Sequence, residues 1–278
     1  MEKIIVVLSA HKPDIASIDF ACRIAALTGS KLTGLFVENL YYHSPVSSMG
    51  EKPYFQAVQQ EEGGSVVTTD TDQVVRLFVA ECSLHQVAAE TYIDKGEPIQ
   101  EVIYESRFAD LLIVDPKINF YDRVEQLPSH FTKEILSSAE CPVLLAPDKS
   151  IDIEEIVFCY DGSPSSVFAL KQFTYLLPQL KNKKAILLEV NSSGKEEFNE
   201  DHRRIMNWLR AHYESVSYQG LKGTAKDELF IWFFMKTNKL AVMGSYGRTA
   251  LSKFFKHSTA DTLIRTIDLP IFITHYNH

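Results

Sequence analysis

Apolar residues follow two alternating patterns along this chain. Short continuous apolar runs, of which residues 4–8 are the first, have the length and β-branched content of strands that are buried on both faces. Between these runs, apolar residues recur every three or four positions, as in amphipathic helices. The first such segment begins at Ile15 and ends at Gly29, a residue that commonly caps a helix C-terminus. This alternation predicts a parallel β-sheet covered by helices.

The pattern predicts ten strands and eight helices. The strands are expected at residues 4–8, 31–37, 87–92, 109–114, 141–147, 156–160, 185–190, 215–218, 240–243 and 269–274. The helices are expected at residues 15–29, 69–82, from 98 onward, 129–138, 164–177, 198–213, 224–236 and 258–266. Residues 38–66 follow neither pattern, and a loop of that length usually serves as a lid, a binding loop or a mobile segment.

The two halves of the chain resemble each other. Residues 109–115 match the region that ends at Gly244, and residues 140–145 match residues 268–273. Ser129 and Ser258 each stand fourteen positions after the residue that ends the preceding strand. The repeat predicts two α/β domains, residues 1–149 and 150–278, each a Rossmann-like, doubly wound, parallel five-stranded sheet.

Composition narrows the range of partners. The chain has 278 residues, a formal net charge of -8 and a pI of about 5.6, which argues against nucleic acid or an anionic membrane as the main partner. No apolar run approaches the ~20 residues of a membrane span, and the N-terminus lacks the pattern of a signal peptide. The four cysteines have no metal-type spacing, so we expect buried free thiols in the cytoplasm.

A candidate phosphate site follows the strand at residues 240–243. Gly244 and Gly247 would allow close approach of the backbone, and the helix expected at Ser258 would present N–H groups to an anion. Arg248 could neutralise phosphate charge. The alternative is that the glycines only form a turn and that Ser258 only caps a helix, with Asp261 completing the capping box.

These residues resemble the universal stress protein family. The motifs are a strand that ends in Asp-Gly-Ser at 161–163, Gly-x-x-Gly at 244–247, a serine at 258, and Pro-Ile followed by apolar residues at 270–273. The duplication makes the chain resemble a tandem member. The resemblance implies an adenine nucleotide alpha hydrolase-like fold that binds ATP, which Mg²⁺ could accompany, at the carboxyl edge of the sheet. The candidate nucleotide-binding residues are Asp161, Val190, Gly244, Gly247, Arg248, His257, Ser258 and Thr259.

The chain also departs from the family pattern. His257 stands where the third glycine would be, and could either crowd the phosphates or donate a hydrogen bond to them. In the first half, Ser9 replaces the aspartate, residues 115–118 replace Gly-x-x-Gly, and Pro128 replaces the third glycine. Asp115 brings negative charge, and proline removes an amide donor, so we predict no phosphate binding in the first half.

Three functional hypotheses remain open. The first is a stress-response protein whose second half binds ATP, with a degenerate first half as its pseudo-dimer partner through residues 143–146 and 271–274; a homodimer is also open. The second is a module for a small apolar or anionic metabolite or for a protein partner, which the aromatic helix at residues 229–234 would suit. The third, an adenylyl-transfer enzyme, lacks activating basic motifs.

We find no catalytic constellation, and expect at most weak ATP hydrolysis. The scattered histidines, including His275 and His278, predict no metal site.

Overall fold

The computed structural model describes residues 1–10, 14–37, 70–94, 96–120, 125–191, 193–194, 200–245 and 259–275. The strands are β1 Lys3–Ser9, β2 Lys31–Val37, β3 Ala89–Asp94, β4 Leu111–Val114, β5 Val143–Leu145, β6 Glu155–Tyr160, β7 Lys184–Asn191, β8 Ser215–Lys222, β9 Lys239–Ser245 and β10 Ile271–His275. The α-helices are α1 Ile15–Thr28, α2 Asp70–Leu84, α3 Pro98–Ser106, α4 His130–Ser138, α5 Pro164–Leu176, α6 Glu200–His212, α7 Ala225–Phe233 and α8 Thr259–Thr266, with a 3₁₀ turn at Pro178–Leu180.

The strands form one sheet in the order β3-β2-β1-β4-β5-β10-β9-β6-β7-β8. Each half is the five-stranded parallel arrangement that the sequence predicts, with the same strand order in both halves. The two halves are not separate sheets, because β5 and β10 pair antiparallel, with Leu145 opposite Ile271. The final strands therefore meet as expected, and β3 and β8 are the outer edges of the sheet.

Helices cover both faces of this sheet. The apolar residues of α1, α2, α5 and α6 pack on one face, and those of α3, α4, α7 and α8 pack on the other. Aromatic rings pack together in the first layer of the second half: the centroid of the Phe173 ring lies 5.2 Å from that of Phe272 and 5.8 Å from that of Phe158. Burial on both faces explains why most strands are continuous apolar runs.

The helix starts follow the capping residues in the sequence. The side chains of Asp14, Ser129 and Ser163 accept hydrogen bonds from the backbone N–H groups three positions later, at the starts of α1, α4 and α5. Gly29 ends α1 in the left-handed conformation, with a φ of 65°. Local chemistry thus sets these boundaries.

Strand β8 and one cysteine also depart from the sequence prediction. The strand expected at residues 215–218 is an eight-residue strand, β8, paired with β7 along its whole length. Pairing with a buried neighbour therefore outweighs its polar composition. Cys22, Cys82 and Cys141 are buried as expected, whereas Cys159 is only partly buried. No helix in the described ranges is long and apolar enough to cross a membrane.

Candidate functional site

Three of the candidate residues lie together at the carboxyl edge of the second half. Asp161 directly follows β6, Val190 lies near the end of β7, and Gly244 lies near the end of β9. The strand register places Tyr160 opposite Glu189. Strand β6 is hydrogen-bonded to β7 on one side and to β9 on the other. The chain runs from β6 to β7 in one direction and reaches β9 in the other, so Asp161 and Gly244 flank the switch point where open α/β sheets bind ligands.

Asp161 is exposed and held by a local turn. Its Oδ1 accepts a hydrogen bond of 3.0 Å from the backbone N–H of Ser163. Gly162 has a φ of 77°, which lets the chain turn sharply into helix α5. Asp161 thus stabilises this turn, and the turn presents its carboxylate to solvent above the edge of the sheet.

Gly244 has a packing role that the sequence does not reveal. A Cβ atom at this position would lie 2.4 Å from the carbonyl carbon and oxygen of Ser165 and 2.7 Å from the backbone nitrogen of Ser166. Only glycine lets the first turn of α5 approach strand β9 this closely. Gly244 also lies inside β9, which continues to Ser245, rather than in a turn after the strand. Its presence is therefore explained by helix–strand packing alone.

The remaining candidate residues fall mostly beyond the described part of the chain. Gly247, Arg248, His257 and Ser258 lie outside the described residues. Thr259 is the first residue of α8. The described elements therefore give the two ends of the phosphate segment, namely the end of β9 and the start of α8, and the roles of the four residues stay predictions.

A polar cluster next to Val190 was not predicted. The Tyr218 hydroxyl donates a 2.9 Å hydrogen bond to Glu189 Oε2, and His202 Nδ1 lies 3.9 Å from the same oxygen. The imidazole of His202 is buried and meets the Tyr218 ring edge-on at 5.0 Å. One sequence signal was available: Glu189 occupies the face of β7 on which Ala185 and Leu187 are core residues. A charge on an otherwise apolar strand face indicates a polar partner.

The described part of this edge is acidic. Burial raises the pKa of Tyr160, and the negative charges of Asp201, Glu189 and Asp161 raise it further, so its phenol stays protonated near neutral pH. Such surroundings favour hydrogen-bond donors, including hydroxyl and amino groups, over phosphate. Positive charge is available in the sequence of the adjoining segment, which carries Arg248, Lys253, Lys256 and His257.

The equivalent edge of the first half is occupied by protein contacts. Asp115 follows β4 at the position that corresponds to Gly244, and burial raises the pKa of its carboxyl to about 6. The buried Ser129 hydroxyl donates to the carbonyl of Ile118 at 2.5 Å and accepts from the N–H of Thr132 at 3.1 Å. Lys117 is paired with Asp148. The one residue of the phosphate motif that this half retains is thus used to cap α4, and the absence of phosphate binding in this half stays a prediction.

Solved structures show what this architecture resembles. A universal stress protein from Archaeoglobus fulgidus superposes with a TM-score of 0.71 at 15% sequence identity, covering 98% of both chains. The fold is that of the universal stress proteins. A Pseudomonas aeruginosa structure that carries the same family name matches with a TM-score of 0.59 at 16% identity, over 99% of this chain and 93% of that one. No protein-family model and no curated protein matches the sequence.

The chain also resembles a domain of a transport protein. The cytoplasmic domain of a prokaryotic cation chloride cotransporter matches with a TM-score of 0.51 at 10% identity, over 98% of this chain and 94% of that one. At such low identities the likeness concerns the fold, and residue roles have to be argued from this chain's own side chains.

Proposed function

We propose that this chain is a stress-response protein that binds an adenine nucleotide, ATP, at the carboxyl edge of its second half. The observation that carries the proposal is the meeting of Asp161, Val190 and Gly244 on three adjacent strands at a topological switch point. In the first half, Ser129 and Lys117 are engaged in contacts within the protein. These contacts support the view that the first half serves as a structural partner of the second.

Each described residue has a proposed role. The exposed carboxylate of Asp161 would accept hydrogen bonds from the ribose hydroxyls. The pairing of β7 with β6 ends at Glu189, whereas its pairing with β8 continues to Asn191, so Val190 lies where two strands diverge. An adenine ring would bind against the backbone there. The phosphates, with Mg²⁺ as a potential companion, would bind Gly247, Arg248, His257, Ser258 and Thr259.

Calorimetry with ATP on the purified, untagged protein tests the proposal. Asp161→Asn retains an oxygen that can accept from the Ser163 N–H but loses the charge, so ATP affinity should fall by roughly tenfold or more. Asp152→Asn is the matched control, because Asp152 is an exposed aspartate on the connection before β6. Absence of any binding heat with the unmodified protein would overturn the proposal.

Substitution of Gly244 is not a suitable test of nucleotide binding. Any side chain there would collide with the backbone of α5, so a loss of binding would report altered packing. Arg248→Gln is preferable, since it removes a proposed phosphate contact and leaves the glycines unchanged. We propose no catalytic role beyond weak hydrolysis. Steady-state ATP turnover that disappears in Asp161→Ala would instead make the protein an enzyme.

The second candidate is a module that binds a metabolite or a protein partner without nucleotide. Large apolar side chains are exposed on and just after α7: Ile231 is 64% exposed, Phe234 54% and Met235 87%. Contiguous exposed apolar patches mark interaction surfaces, and these three side chains lie within five residues of one another. Failure to bind ATP, together with self-association that is lost on Ile231→Ser and Phe234→Ser, would favour this candidate.

A further inference from the structure

Side chains of α1 and α2 converge at one point on the surface of the first half. Glu81 lies in the last turn of α2, His85 directly follows that helix and donates its backbone N–H to the Glu81 carbonyl, and Asp19 lies on α1. His85 Nε2 lies 3.0 Å from Asp19 Oδ1 and 3.4 Å from Glu81 Oε1. The three ligand atoms lie within 4.8 Å of one another, and no other group of three such side chains in the described residues does so.

We propose that Asp19, Glu81 and His85 bind a divalent transition-metal ion. Two carboxylate oxygens face the same imidazole nitrogen, and the single N–H that this nitrogen can carry donates well to only one of them. A metal ion placed between the three atoms would satisfy all of them. Ligands at 2.0–2.2 Å from a tetrahedral zinc ion are separated by about 3.4 Å, close to the 3.0 and 3.4 Å between His85 Nε2 and the two carboxylate oxygens.

The chemistry of the three ligands also fits such an ion. An imidazole nitrogen with two carboxylates suits zinc and its first-row neighbours, and the two negative charges balance a 2+ ion. The three side chains are 24–26% exposed, so an ion can enter from solvent and a water molecule can complete the coordination. Buried residues of α1 and α2, including Cys22 and Phe78, pack together beneath the site and hold the two helices in place.

A nearby pair of thiols has to be distinguished from this site. The Sγ atoms of Cys22 and Cys82 are 3.6 Å apart and buried in the same helix interface. Thiolates bind zinc strongly, so zinc binding alone would not identify the ligands. In the proposed site the thiols are not ligands, and the bound ion joins Asp19 of α1 to Glu81 of α2 and to His85, which directly follows α2.

Titration of the untagged, chelator-treated full chain with Zn²⁺ alone tests the proposal. We expect one ion per chain and a rise in Tm on binding. His85→Gln should weaken binding by more than the ~10–100-fold that loss of a supporting outer ligand contact costs. The matched control is His130→Gln: His130 lies 3.9 Å from Glu134 in the same one-turn spacing on α4, where the described residues provide no third ligand. Its affinity for Zn²⁺ should equal that of the unmodified chain.

A second measurement identifies the ligands even if His85→Gln fails to fold. Co²⁺ bound by nitrogen and oxygen should show visible d–d bands without intense thiolate-to-metal charge transfer, and Asp19→Asn should weaken these bands. Three results would overturn the proposal: no binding of either ion, binding that His85→Gln and Asp19→Asn leave unchanged, or a charge-transfer band that Cys82→Ser removes. ATP is left out throughout, so the outcome is independent of the nucleotide site.

Discussion

Replacement of Asp115 by asparagine should stabilise the protein at neutral pH. The carboxyl group is partly buried at the end of β4, and its Oδ1 accepts a 2.8 Å hydrogen bond from the backbone N–H of Lys117. Asparagine keeps an oxygen that can accept this bond and removes the charge. Burial raises the pKa of Asp115 from 3.8 to about 6, and the charges of Asp14 and Asp148 add to the effect against the opposing charge of Lys117.

The size of the effect follows from that difference in pKa. The pKa of this carboxyl is 3.8 in the unfolded chain and about 6 in the folded chain. Once the carboxyl is ionised in both states, this difference lowers the free energy of unfolding of the protein by about 3 kcal/mol. The folded state holds the proton more tightly, so the penalty is absent below about pH 4, grows between about pH 4 and 6, and is complete above that range. Partial exposure of the side chain makes about 3 kcal/mol an upper value.

Thermal unfolding at about pH 5 and about pH 7.5 measures the change, since these values lie within and above the titration range. The Asp115→Asn variant should have the higher Tm at the upper pH, with each kcal/mol worth about 2–4 °C in a chain of this size, and the advantage should shrink at the lower pH. Asp201→Asn, at a side chain 81% exposed, is the control and should change little. An equal advantage at both pH values, or a lower Tm near neutrality, would refute the reasoning.

Three further substitutions test the packing around the two edges. Gly244→Ala should destabilise the protein by about 1–3 kcal/mol, because its Cβ would lie 2.4 Å from the Ser165 carbonyl. Chemical denaturation measures this loss of stability. An unchanged stability would show that α5 can move away from β9. Ser129→Ala should cost about 1–3 kcal/mol, since it removes the cap of α4 and leaves the Ile118 carbonyl without this donor. Ser163→Ala, which removes a comparable but less buried cap from α5, should cost about 1 kcal/mol in the same assay, and equal losses would contradict the role given to Ile118.

Most of the fold could be predicted because its determinants are local or periodic. Buried strands such as β1 and β4 are continuous apolar runs, and the capping side chains of α1, α4 and α5 stand at the helix starts. The pairing of β5 with β10 followed from the repeat and from the resemblance to a known family. Strand β8 was underestimated because its pairing with β7, rather than its composition, makes it a strand.

The site was less predictable because its contacts join distant parts of the chain. Gly244 is required by Ser165, which belongs to a different element, so the glycine alone suggested a turn. Glu189, His202 and Tyr218 come from β7, α6 and β8, and no spacing in the sequence relates them. Periodicity places a residue on a face of its helix or strand, but the neighbour that it meets depends on how the elements pack.

The antiparallel contact between β5 and β10 has a consequence for how this molecule could diverge. In an assembly of two identical subunits every substitution occurs twice, so a change that abolishes one ligand site abolishes both. Here the two strands that close the sheet belong to a single polypeptide, and dilution cannot separate them. One half is therefore free to exchange a glycine for Asp115 and to commit Ser129 to an internal contact while the other half keeps its strand partner. Because both halves are encoded in one polypeptide, their ligand sites can differ while the two halves still form one continuous sheet.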